Sequence, residues 1–135
     1  RDLELNRDEL PKYLEYLEKA ELVSVLRMKA NGDAILRKMD KLYLQNSNMS
    51  YVLSGENPDT GNARETIFYC WTKQKYDTVE SPVSDFEIDG KTFEVGGRNK
   101  GKKQISNLKD AYVVKDTIEY VFDNQVPLWM FGFLY

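Results

Sequence analysis

The chain contains no histidine and a single cysteine, Cys70, so its chemistry has to run on carboxylates, lysines and oxygen-ligated metals such as Mg²⁺ or Mn²⁺. A Ser-His-Asp or Cys-His triad, a His-ligated metal and a thiolate zinc cluster are all excluded. The carboxylates with the most telling spacing are Asp85 and Glu94. Between them, Asp89-Gly90 is a two-residue hairpin signal flanked by short alternating runs. A tight turn there sets Phe86 opposite Phe93, Glu87 opposite Thr92 and Asp85 opposite Glu94. Alternation puts Phe86, Ile88, Phe93 and Val95 on one face and Asp85, Glu87, Thr92 and Glu94 on the other. Like charges directly opposite one another destabilise a hairpin. A shared divalent cation, a proton held between the acids, or an exposed face that tolerates both would each account for the pair.

Four further features bear on chemistry. Gly96 to Lys103 nearly spells a phosphate-binding loop, G-x-x-x-x-G-K, but Lys103 stands where a Mg²⁺-holding Ser or Thr is needed, and too little chain follows for a long parallel sheet. The glycines are better read as releasing the strand from the sheet. Arg98, Lys100, Lys102 and Lys103 then form a basic cluster at the next helix start, which meets a phosphate backbone or is solvated surface. Glu65 falls in the first turn of a helix read from Asn62, where the helix dipole favours an acid. Cys70 lies in that helix's apolar stripe and reads as core rather than nucleophile.

The elements that must position these groups come from a chain of 135 residues, enough for one domain or for one domain with a fragment of another. Hydrophobic content of 41% and aromatic content of 13% suffice for a real core. A net charge of -3 argues against a generic nucleic-acid coat. One cysteine fits a reducing, cytoplasmic compartment, and no apolar run approaches a membrane span or a signal peptide. The chain opens at Arg1 within an amphipathic pattern and reads as a piece of a longer protein.

Residues 1–40 read as a partial winged helix. Leu10, Tyr13, Leu14 and Leu17 share a helical face, Asn6 and Glu9 are spaced as a capping box, and Pro11 marks the helix start. A strand over 21–28 follows, then an Asn31-Gly32 turn and a return strand through Ile35 and Leu36. Lys12 and Lys19 are balanced by Glu15 and Glu18, so a packing module is favoured over a DNA reader. Residues 41–135 read as a second unit. It has a strand over 41–45, a helix over 48–53, a loop over 54–61, and a helix with Ala63, Ile67, Cys70 and Trp71 on one face. A strand over 76–80, the hairpin, a helix over 102–108, a buried strand over 111–114 and another strand within 116–122 complete it. The end, PLWMFGFLY, reads as a terminal helix from Pro127. It buries Trp129 and Phe133 here, or docks on another part of the parent protein or on a second copy.

The order from Asn62 (helix, three strands, helix, strand), with a D-x8-E pair and Gln104 opening the next helix, resembles the restriction-endonuclease-like PD-(D/E)XK fold. More closely, RET at 64–66, SDFEIDG, FEVGGRNKGKKQI, AYVVKD and PLWMFGFLY resemble the C-terminal domain of a family of prokaryotic AAA-type ATPases. In that family a P-loop ATPase and a winged helix precede a nuclease-like domain. The resemblance implies a mixed α/β (α+β) fold with a restriction-endonuclease-like core behind a winged-helix remnant. It implies Asp85 and Glu94 as Mg²⁺ or Mn²⁺ ligands assisted by Glu65, and Arg98, Lys102, Lys103 and Gln104 as a nucleic-acid contact. ATP would bind only in the upstream ATPase domain of the same protein, the implied partner, with nucleic acid and a second copy as further candidates and no membrane. The lysine that the PD-(D/E)XK nucleases usually carry two residues beyond the second acid is absent, for Gly96 stands there. Lys100 or Arg98 would have to reach in from the loop. The implied function is an interaction or regulatory module with a degenerate site; the alternative is an active metal-dependent nuclease cleaving DNA or RNA.

Overall fold

The structure, a computed structural model, describes residues 9–29, 41–55, 57–100 and 105–134. It is a mixed α/β fold. Helix α1 (Leu10–Lys19) leads into strand β1 (Val23–Leu26), which pairs antiparallel with β2 (Lys41–Leu44). Helices α2 (Ser47–Ser54) and α3 (Thr60–Thr72) follow. A second sheet contains β3 (Thr78–Glu80), β4 (Phe86–Ile88), β5 (Lys91–Gly96), β6 (Ala111–Lys115) and β7 (Gln125–Pro127), adjacent in that order. A 3₁₀-helix over Leu128–Phe133 completes the described chain. The two sheets touch where Glu80 N–H donates to the Arg27 carbonyl at 2.8 Å.

The hairpin forms in the expected register, with Phe86 opposite Phe93 and Glu87 opposite Thr92. Asp89 and Gly90 both take positive φ, 49° and 75°, as a twist-matched two-residue turn requires. Strand β5 then runs parallel to β6 and is covered on both faces. One face carries Phe86, Ile88, Phe93, Val95 and Val114 against Phe68 and Tyr69 of α3. The opposite face carries the smaller cluster of Ile105, Ala111 and Val113. Phe68 is the hub, with ring centroids 4.9 Å from Phe86, 5.5 Å from Phe93 and 4.7 Å from Phe131. Its burial alone stabilises by about 1.5–3 kcal/mol.

Several expectations need correction. Asp59 caps α3 by accepting from Gly61 N–H at 2.8 Å, so the helix starts before Asn62 and Glu65 lies beyond its first turn. The buried face of α3 is Ala63, Thr66, Phe68, Tyr69 and Thr72, because the larger rings of Phe68 and Tyr69 claim the sheet; Trp71 is left at the surface. No residue of α1 is buried, and Leu10, Tyr13 and Leu17 are exposed. Residues 116–122 form no strand; the edge strand is β7, which pairs with Val113–Lys115. Of the helix expected over 102–108, residues 102–104 lie outside the described residues and Ile105–Leu108 is a turn closed by Leu108 N–H on the Ile105 carbonyl. The return strand through Ile35 and Leu36 also lies outside them. At the C-terminus Leu128 and Phe131 face the core, whereas Trp129 and Phe133 are exposed and meet edge to face.

Candidate functional site: an acid pair and a lysine

Asp85 ends the bend before β4, and Glu94 lies in the middle of β5, on the face away from Phe93 and Val95. The hairpin register brings them together. Asp85 does not enter the ladder as a strand residue. Its Oδ2 instead accepts the Val95 backbone N–H at 2.8 Å, which holds the carboxylate beside the β5 backbone. Glu94 is only 1% exposed. An ionised carboxylate so deeply placed needs compensating charge and hydrogen bonds. It has both. Ser84 Oγ donates to Oε2, and the Lys100 ammonium lies 2.6 Å from Oε1.

Lys100 is the residue that completes the arrangement. The loop after β5 turns back on itself, with Lys100 N–H donating to the Gly97 carbonyl at 3.0 Å. Its side chain then runs over Gly96. A Cβ built on Gly96 would lie 2.5 Å from both Cβ and Cγ of Lys100 and 2.7 Å from Cδ. Glycine at this position therefore opens the space through which Lys100 reaches the acids. The ammonium bridges them, 2.6 Å from Glu94 Oε1 and 3.9 Å from Asp85 Oδ2.

Strand β2 supplies two groups that the sequence reading did not single out. Lys41 stands 3.9 Å from Asp85 Oδ1, and Tyr43 donates its hydroxyl to Glu65 Oε2 at 2.7 Å. Their i, i+2 spacing on a strand was the available signal, since it puts both side chains on one face. Ser84, beside Asp85, was likewise passed over. Arg64 is drawn elsewhere, pairing with Asp116 at 2.5 Å while its guanidinium lies against Gly97.

The protonation equilibria follow this geometry. Burial pushes the Asp85 carboxyl up, and the charge of Glu94 adds to that, against the Val95 N–H. Burial likewise raises Glu65, although the Tyr43 hydrogen bond opposes the shift. Burial pulls Lys100 down, but its hydrogen bond to Glu94 and the charges of Asp85, Glu94 and Glu65 outweigh this and raise it. Lys100 is thus held as an ammonium. Burial also raises the Cys70 thiol, whose Sγ contacts the Gln45 carbonyl at 2.8 Å. A raised thiol pKa is the opposite of what a nucleophile needs.

Of the sequence-derived site residues, Asp85, Glu94 and Lys100 converge, and Glu65 lies at their margin in the field of Asp85 and Lys100 but bonded to Tyr43. Arg98 is exposed on the loop. Lys102, Lys103 and Gln104 lie outside the described residues. Hard carboxylate oxygens are the right donors for Mg²⁺ or Mn²⁺. Their present engagement is not: Glu65 holds Tyr43, Glu94 holds Ser84 and Lys100, and among the described residues no group of three or more ligating side chains is placed to hold a metal. As folded, the three acids do not fit a shared divalent ion while Lys100 is seated between two of them. Comparison with protein-family models, curated proteins and solved structures finds no match for the chain. Among the described residues, no helix is long and apolar enough to cross a membrane.

Proposed function

We propose that the chain is a nuclease-fold C-terminal domain of a prokaryotic AAA-type ATPase, serving that ATPase as an interaction or regulatory module with a degenerate catalytic site. In this reading α3, the β3–β5 meander, β6 and the acids just before β4 and on β5 form a restriction-endonuclease-like core, and α1 with β1 is what remains of a winged helix. The observation that carries it is the seat of Lys100. The buried Glu94 carboxylate is already held by an ammonium, bridged to Asp85, where a metal-dependent nuclease needs both acids open to a divalent cation. Partner contact with the upstream ATPase domain or a second copy would fall to the exposed apolar side chains near the C-terminus, Trp129, Met130 and Phe133.

One observation favours the alternative, an active nuclease using Mg²⁺ or Mn²⁺ on DNA or RNA. Lys100 brings an ammonium to the acid pair even though Gly96 leaves the usual lysine position empty, and an ammonium there would stabilise charge developing on a phosphate. That reading requires Lys100 to leave Glu94 when substrate arrives, with Arg98 on the same loop as a phosphate contact. Incubation of the chain with DNA and RNA in millimolar Mg²⁺ or Mn²⁺ decides between them. No cleavage is expected. Cleavage abolished by Asp85→Ala would overturn the degenerate-site reading and establish the alternative.

A further inference from the structure

The disagreement between the acid pair and a divalent ion has a specific physical source. Two acids that share one ammonium, one of them fully buried and the other largely so, require positive charge beside them. In a metal site that charge is the ion. Here Lys100 lies 2.6 Å from Glu94 and 3.9 Å from Asp85, and Lys41 lies 3.9 Å from the other Asp85 oxygen. Among the described residues, two ammonium groups face Asp85 and Glu94, with the third acid, Glu65, at the margin and held by the Tyr43 hydroxyl, so the charge of the pair is compensated without an added ion. The stem of Lys100 runs over Gly96 and is led there by the turn at Gly97, so the backbone of the loop directs the ammonium to the acids.

We infer that Lys100 is the built-in cation of the Asp85–Glu94 pair, excluding divalent ions from it, and that a divalent-cation site becomes available when this ammonium is removed. A divalent ion entering the wild-type pair would have to displace Lys100 from Glu94 and would then sit beside two ammonium groups, a repulsive arrangement. With Lys100 neutralised, Lys41 remains beside Asp85 but the ammonium on Glu94 is gone, and the two carboxylates are hard oxygen donors with excess negative charge, which Mn²⁺ would bind. This deepens the degenerate-site reading and rests on it, but its test is separate: cleavage assays report on activity, and the measurements below report only on the cation.

Mn²⁺ titration by calorimetry on four forms of the chain tests the inference: wild type, Lys100→Met, Lys100→Arg, and Lys100→Met combined with Glu94→Gln. Lys100→Met is expected to bind Mn²⁺ at least tenfold more tightly than wild type. Lys100→Arg, which keeps the charge, is expected to show no gain, and adding Glu94→Gln to Lys100→Met is expected to abolish the gain. Equal affinity in wild type and Lys100→Met, including no binding by either, overturns the inference, as does a gain that survives Glu94→Gln. If Lys100→Met does not fold in EDTA, recovery of its circular-dichroism spectrum on addition of millimolar Mn²⁺ reads out the same site, and failure to recover overturns it.

Discussion

The side chain of Lys100 occupies the space that a side chain on Gly96 would fill, with the would-be Cβ 2.5 Å from the Lys100 Cβ and Cγ. The two residues are therefore alternatives for one volume. A side chain can stand at 96 or Lys100 can reach the acids, but both cannot occupy that space as the backbone now runs. Gly96→Ala is expected to destabilise by about 1–3 kcal/mol, the usual cost of overpacking a fitted site. The clash is with the stem near the Lys100 backbone rather than with its mobile tip, so small rotamer changes will not relieve it. Urea denaturation of a double-mutant cycle checks this: in a Lys100→Gly background, Gly96→Ala should lose most of its cost.

The ion pair between Glu94 and Lys100 should be unequal from its two ends. Glu94 is 1% exposed, whereas the Lys100 side chain is 35% exposed and can be hydrated if its partner is lost. Lys100→Met leaves a buried carboxylate with Ser84 but without its ammonium. Breaking a fully buried pair costs about 3–5 kcal/mol. Partial exposure of Lys100 reduces this to roughly 2–3 kcal/mol. Glu94→Gln leaves a neutral group that still accepts from Ser84, and is expected to cost about 1 kcal/mol. Chemical denaturation of both variants in EDTA should rank them in that order.

The local signals in the sequence were strong where one dipeptide or one alternation governs the backbone. Asp89-Gly90 fixed the hairpin and its register because a two-residue turn with positive φ at both positions leaves one pairing. The alternation of Phe86, Ile88, Phe93 and Val95 then gave the core face correctly. The arrival of Lys100 was open between Lys100 and Arg98, since a loop's return path is set by tertiary packing and not by periodicity. The face of α3 was legible only in part: Ala63 is buried and Ile67 packs against the core as expected, but Cys70 and Trp71 form a stripe as apolar as Phe68 and Tyr69, and only the sheet decides between them. Lys41 and Tyr43 escaped notice because their partners, Asp85 and Glu65, are distant in sequence.

The C-terminal aromatics should separate into core and surface when truncated singly. Phe131 packs its ring 4.7 Å from Phe68 and 5.9 Å from Phe93, whereas Phe133 is 63% exposed. Phe131→Ala is expected to cost about 2–4 kcal/mol, within the range for core aromatics after allowing for its partial exposure. Phe133→Ala, which loses the edge-to-face contact with Trp129, is expected to cost about 1 kcal/mol or less. Thermal unfolding of the two variants side by side checks the ranking. Equal costs would mean that the 3₁₀-helix is seated differently.

Glu18 ties α1 to β1, and its contribution should depend on pH. Its Oε1 accepts the Val25 N–H at 3.0 Å and its Oε2 meets Arg27 at 2.7 Å. Burial pushes this carboxyl up, but the Arg27 hydrogen bond, the Val25 N–H and the charges of Arg27 and Lys73 together outweigh burial and hold it below its usual value. A carboxyl lowered on folding stabilises fully above its unfolded pKa, about 4.3, and that stabilisation is lost as pH falls through the lower folded value. Glu18→Gln is therefore expected to cost about 1 kcal/mol at pH 7, a partly exposed charge-assisted contact. The difference from wild type should hold down to about pH 5 and narrow below about pH 4, where the wild-type carboxyl begins to take up its proton. Urea denaturation of both forms between pH 3 and pH 7 measures it. A difference that is flat across this range would show that the side chain acts through packing and neutral hydrogen bonds, and that its charge contributes nothing to seating α1.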